Sequence, residues 1–180
     1  MITDNAVWEM LFALLNQKLV EFGFTNVAVQ QTYQPTQQGV PLKPTVALHT
    51  IDSQRYGFPE DSCYYDQQQD AIVRRESYWL ERTYQVDGYS IQSPETPSNP
   101  TAFDLVDTVA AILQTGSVVE FLQAQGFGIL RVQPLRVIYF VDDRGRHEQI
   151  PSFDFTLTYQ QIILSTAEPI TEITAEIYEV

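Results

Sequence analysis

The chain has 180 residues, 44% of them hydrophobic, enough to bury one sizeable core and to read as one domain over 1–180. Its 23 acidic residues outnumber 10 basic ones, giving a formal charge of −13. That argues against binding nucleic acid through clustered lysines and arginines, and one cysteine, Cys63, excludes both an internal disulfide and a multi-thiolate zinc site.

The N-terminus lacks the basic region and small-residue cleavage site of a secretory signal, so a non-exported protein is expected. Asn5 to Phe22 places Val7, Met10, Leu11, Leu14, Leu15, Leu19 and Phe22 on one side of a helix. Thr3 or Asp4 suits its start and Gly23 its end. Val27 to Gln31 reads as a short strand. Residues 30–44 are rich in Gln, Pro and Thr, and Pro35, Pro41 and Pro44 remove backbone donors, which predicts an extended arm. Thr45 to Ile51 resumes the sheet. Residues 52–76 carry Tyr56, Phe58, Tyr64 and Tyr65 among glutamines and charges with no clear period, and read as a second long loop ordered by a partner.

Tyr78 to Val86 alternates as a strand. Thr101 and Asp104 have capping-box form ahead of a stripe of Phe103, Val106, Val109, Ala110 and Leu113, and Ser117 with Glu120 opens a second helix closed by Gly126. Leu130 to Val141 is one strand running into the turn Asp142-Asp143-Arg144-Gly145, and Phe153 to Leu164 returns as its hairpin partner. After Pro169 a last strand sets Ile173, Ala175 and Ile177 against Glu172 and Glu176. The expected fold is a single α+β domain: a mostly antiparallel sheet flanked by an N-terminal helix and a central helical pair, with two long arms at 30–44 and 52–76.

The candidate chemistry is sparse. His49 lies in an apolar strand and His147 beside a turn, neither with a partner at metal-ligand spacing. Cys63 has no base or orienting group in view. Glu60, Asp61, Asp66 and Asp70 lack the spacing and central glycine of an EF-hand loop. Gly126-Phe127-Gly128 follows a helix, which is the wrong context for a phosphate loop. Arg74-Arg75-Glu76 reads as a salt-bridging spot within or between subunits. No catalytic set, cofactor or metal is expected.

The helix at the N-terminus, the connection Gln30-Gln31-Thr32-Tyr33-Gln34-Pro35, the Tyr56-Gly57-Phe58-Pro59 segment, the strand Glu81-Arg82-Thr83-Tyr84-Gln85-Val86, the central helix and the closing strands resemble the neck and tail-terminator proteins of tailed bacteriophages. The resemblance implies a non-enzymatic virion protein, assembled in the host cytoplasm. It would form a ring, commonly of six copies, that ends the tail tube and meets the head-neck connector while DNA passes through unbound. On this reading Tyr33, Gln34, Tyr56, Phe58, Tyr64, Tyr65, Arg74 and Arg75 are expected to contact subunits or partners, and Glu172 and Glu176 to line the channel. No membrane contact is expected. The alternatives are a head-completion or adaptor protein nearer the portal and an acidic hydrolase built on the Asp/Glu-rich segment.

Overall fold

A computed structural model describes residues 2–32, 43–91, 99–141 and 147–167. In chain order the elements are α1 (Asp4–Glu21), β1 (Ala28–Gln31), β2 (Thr45–Asp66), β3 (Ala71–Tyr89), α2 (Ala102–Gln114), α3 (Gly116–Ala124), β4 (Phe127–Val132), β5 (Arg136–Val141) and β6 (His147–Ala167). The helices stack on one face of a six-stranded sheet of order β1-β2-β3-β6-β4, with β5 also paired to β6. Among the described residues only β1 and β2 run parallel; the other pairs are antiparallel. This is the α+β domain read from the sequence.

Alternation on the central strands selects the core. Leu80, Tyr84 and Val86 of β3 sit opposite Tyr159, Phe155 and Phe153 of β6, and all six are buried under the helices. From α1, Val7, Leu11, Leu15 and Leu19 are buried, and Trp8 meets the edge of Tyr84 at 5.2 Å between ring centroids. A fully buried Leu or Phe is worth about 1.5–3 kcal/mol, so this one layer holds the domain together. Gly88 lets α2 settle onto β3: a Cβ there would lie 2.5 Å from the Ala102 carbonyl oxygen and 2.6 Å from Val106 Cγ2.

Local signals explain the helix ends. Thr3 accepts a hydrogen bond from the Ala6 amide, and Gly23 takes φ +92° just past α1. At α2 the capping box forms in full: Asp104 N donates to Thr101 Oγ1 at 3.0 Å and Thr101 N to Asp104 Oδ2 at 3.0 Å. The stripe on α2 is buried as expected except for its first member, Phe103, which is exposed beside buried Leu105 and Ile112. The Ser117 and Glu120 box does not form. The chain enters α3 two residues earlier, at Gly116, with Thr115 at the cap position, where its hydroxyl donates back to the Ile112 carbonyl oxygen at 2.8 Å.

Two other expectations are corrected. Residues 52–76 are not a loop: they are the far end of the β2–β3 hairpin, paired from Asp52 opposite Thr83 to Asp66 opposite Ala71. From Ile51 to Tyr65 every β2 residue is exposed, so neither face selects for apolar side chains and the period-2 signal of a half-buried strand disappears. Two irregularities, between Thr50 and Asp52 and between Tyr56 and Glu60, further break the phase. The strand expected over Leu130 to Val141 is two strands, β4 and β5, which lie end to end along β6. The break falls at Pro134, which has no N–H for the ladder, and Gln133 N keeps the chain tied by donating to the Asp154 carbonyl oxygen at 2.7 Å. The hairpin of β5 and β6 stands; its turn at Asp142 to Gly145 lies outside the described residues. So do most of the first arm, with Tyr33 and Gln34, and the strand after Pro169 with Glu172 and Glu176.

Candidate interaction surface

Three strands outrun the helices. β2, β3 and β6 are 22, 19 and 21 residues long, about 60–70 Å if extended at about 3.3 Å per residue. A compact 180-residue domain has a radius of gyration of about 16 Å, so strands of that length must project from it. They form a three-stranded blade in which the residue ladders run across at one level: Tyr64, Val73 and Thr166, then Cys63, Arg74 and Ser165, then Asp61, Glu76 and Ile163.

Apart from buried Val73, polar contacts tie the strands of the blade together. Arg74 donates to both carboxylate oxygens of Asp61, at 3.0 Å from Nε and 2.8 Å from Nη2, and lies 3.1 Å from Glu76. The Arg74 guanidinium holds the Asp61 carboxyl below its ordinary range. On the opposite face, Ser77 Oγ donates to Glu60 Oε2 at 3.2 Å. At the tip, Asp66 accepts from the Gln68 amide at 2.8 Å, and Asp70, at φ 49°, accepts from the Tyr65 hydroxyl. The four acids considered as calcium ligands are thus spread over two faces and the turn. Among the described residues no group of three or more His, Cys, Asp or Glu side chains could hold a metal ion.

Where the blade leaves the body, the bulge Gly57-Phe58-Pro59 pushes Phe58 outward until it is 98% exposed. With Tyr56, Trp79 and Glu81 it borders an open hollow of about 440 Å³ on the face without helices. Tyr64, Tyr65, Ile163 and Leu164 add exposed apolar surface farther out. Single exposed apolar side chains are ordinary, but this many on one projection make it the candidate contact surface. The expected contact residues Tyr56, Phe58, Tyr64, Tyr65, Arg74 and Arg75 therefore share one element, with Arg74 on the helix side and Arg75 on the other.

The helix-free face also carries a polar cluster that sequence reading missed. Asp87 is 4% exposed. It accepts from Gln85 Nε2 at 2.7 Å, and its other oxygen lies 3.5 Å from His49 Nδ1. Burial pushes the Asp87 carboxyl above its ordinary range, with the Gln85 hydrogen bond, His49 and Arg136 opposing. Arg136 spans from Asp154, gripped at 2.9 and 2.7 Å, to Gln85 Oε1 at 3.1 Å and Ser152 Oγ at 3.2 Å. Thr32 Oγ1 approaches His49 Nδ1 at 3.3 Å, the same ring nitrogen that faces Asp87. A nucleophile–histidine–carboxylate relay uses the two different ring nitrogens, so this cluster lashes β2, β3, β5 and β6 to one another and to Thr32, just past β1, and has no relay geometry. Cys63 stands exposed on the blade. The only sequence signal for the cluster was the strand parity of Gln85, Asp87 and Asp154, whose partners lie far away in the chain.

A family model described as E217 gateway protein gp29 matches residues 5–168. The chain belongs to that gateway family. The match runs from α1 through the whole blade to the end of β6, so the projection is part of the family's domain. It is a phage head-tail connector-type family of structural proteins, which gives this gateway protein a place in the virion at the head–tail junction. The resemblance to phage neck proteins is met at that level; the match does not single out a terminator family within it. No curated protein matches the chain.

Proposed function

We propose that this gateway protein assembles into a ring, of six copies, that closes the tail tube and joins it to the head-neck connector, with DNA passing through its centre. The observation that carries the reading is the blade: a structural protein of the head–tail junction that projects three long strands bearing exposed aromatic side chains has a built surface for neighbours. A head-to-tail contact repeated around a closed ring uses one such surface per copy without leaving an unpaired end. The charge of −13 per chain suits a conduit, because DNA adheres to proteins through cationic groups that neutralise its phosphates.

Mass measurement in solution with electron microscopy of the purified protein tests this. Annular particles of one size are expected; a species of 20.6 kDa at every concentration, with no rings alone or on purified tail tubes, overturns it. Mixing the protein with purified tubes and with purified connectors then assigns the layer. Rings seated on tube ends support the terminating role, and rings seated on connectors alone place the protein nearer the portal.

A further inference from the structure

The blade has two outer edges, and they differ. β1 covers β2 only as far as Leu48. On the other side, β5 covers β6 over His147 to Ser152 and β4 over Phe155 to Tyr159. Among the described residues, no strand lies against the outer edge of β2 over 52–66 or of β6 over 160–167. An open edge exposes a row of backbone donors and acceptors, and proteins ordinarily guard it with charge, proline or bulges. β2 has such guards in the bulge at Gly57 to Pro59 and in Glu60, Asp61 and Asp66. β6 has none: Gln160-Gln161-Ile162-Ile163-Leu164-Ser165-Thr166-Ala167 carries no charge, proline or glycine. Eight unguarded residues beside exposed Ile163 and Leu164 describe a strand built to be paired.

We infer that the occupant is a second copy of this chain: the β6 edge of one blade pairs with the β2 edge of the next, in parallel, so that one sheet runs on from subunit to subunit. This rests on the ring reading above and names the contact that makes the ring. Three features support it. The two edges lie at the same level, because Glu60 to Tyr65 and Ile162 to Ala167 face the same β3 residues, Ile72 to Ser77. β2 and β6 run in the same direction, both antiparallel to β3, so rotation about an axis along the blade brings them together as a parallel pair. The charge pattern also selects this arrangement. A twofold β2–β2 contact sets Glu60, Asp61 and Asp66 against the same acids of the other copy, and a β6–β6 contact leaves both β2 edges open. The β2–β6 contact sets the acidic edge, with Asp61 already paired to Arg74, against an uncharged one and satisfies every copy.

The chain supplies its own reporter, because its only cysteine, Cys63, is exposed on the β2 edge. Adjacent strands lie about 4.8 Å apart, within disulfide reach. Ser165 shares the Cys63 level and face, while Ile163 and Ala167 are the same-face positions on either side of it. The full-length variants Ser165→Cys, Ile163→Cys and Ala167→Cys, each exposed at the substituted site, are treated with a mild oxidant and run without reductant. One of the three is expected to give a ladder of covalent multimers up to the whole ring, while Leu164→Cys, on the other face, gives little. Adding Cys63→Ser or reductant collapses the ladder. Rings that form normally with no cross-link to Cys63 in any of the three overturn the edge contact and leave the ring intact. Covalent dimers that persist without Cys63 establish a β6–β6 contact and overturn it as well. Absence of both rings and ladder, with wild-type chain also monomeric, removes the ring reading and this contact with it.

Discussion

At the scale of single residues, Asp87 shows how burial sets chemistry. Its carboxyl lies on the helix-free face, roofed by His49 from β2, Gln85 from β3 and Arg136 from β5, with Asp154 of β6 beyond the arginine. Desolvation raises its pKa above the ordinary 3.8. In the window from 3.8 up to the raised value the folded chain keeps a proton that the unfolded chain has released, so the Asp87 contribution to stability is present below the window and is lost as pH rises through it. Asp87→Asn keeps an oxygen acceptor for Gln85 and removes the titration. The stability of the variant minus that of the wild type is therefore expected to rise as pH increases from 3.8 upward. Urea unfolding over that series checks it, and a flat difference would show that solvent reaches the carboxylate. Tyr84 sits deeper. Burial raises its hydroxyl pKa, and neither that hydroxyl nor the buried Arg82 Nε has a well-formed hydrogen bond. Arg82 instead reaches Asp4 at the start of α1 and lies 6.0 Å from the Tyr159 ring centroid.

At the scale of elements, the two helical starts read identically in the sequence and differ in the fold. Thr101 and Asp104 exchange the hydrogen bonds of a capping box, so Thr101→Ala is expected to cost about 1 kcal/mol in unfolding free energy. Ser117 and Glu120 have the same spacing, yet the α2–α3 corner is turned by Thr115, whose hydroxyl is committed to the Ile112 carbonyl. Ser117→Ala is accordingly expected to lie within about 0.5 kcal/mol of wild type, and paired urea denaturation of the two variants separates them. Both motifs were legible; only the packing of α2 against β3 and β6 decides which one is a helix start. Pro134 is the complementary case, a breaker visible in the sequence whose effect was underestimated because apolar residues continue on both sides of it.

At the scale of the molecule, body and blade share three strands but not the main core. No member of the main hydrophobic cluster falls between residues 57 and 78. Tyr56 and Trp79 are register partners, so an Asn-Gly turn replacing residues 57–78 closes a short hairpin with the twist its strands require. This shortened chain is expected to unfold cooperatively with a thermal midpoint within about 5 °C of wild type, and to form no rings. Calorimetry and electron microscopy of the same preparation check both halves. Rings without a blade would place the subunit contact on the body.

By itself the sequence determined what depends on neighbours in the chain: the helix of α1 with its cap and glycine stop, the capping box of α2, the alternating core strands of β3 and β6, an acidic one-cysteine domain, and a residue texture resembling phage neck proteins. These were readable because each buries one face against a core, and burial imprints its period on the residues. Tertiary structure decided the rest. The far end of β2 has both faces in solvent, so no period marks it as a strand, and only its pairing with β3 reveals one. The cluster around Asp87 joins residues from four strands and Thr32 just past β1, and among the described residues the edges of β2 and β6 are open only because β1, β4 and β5 stop short of them.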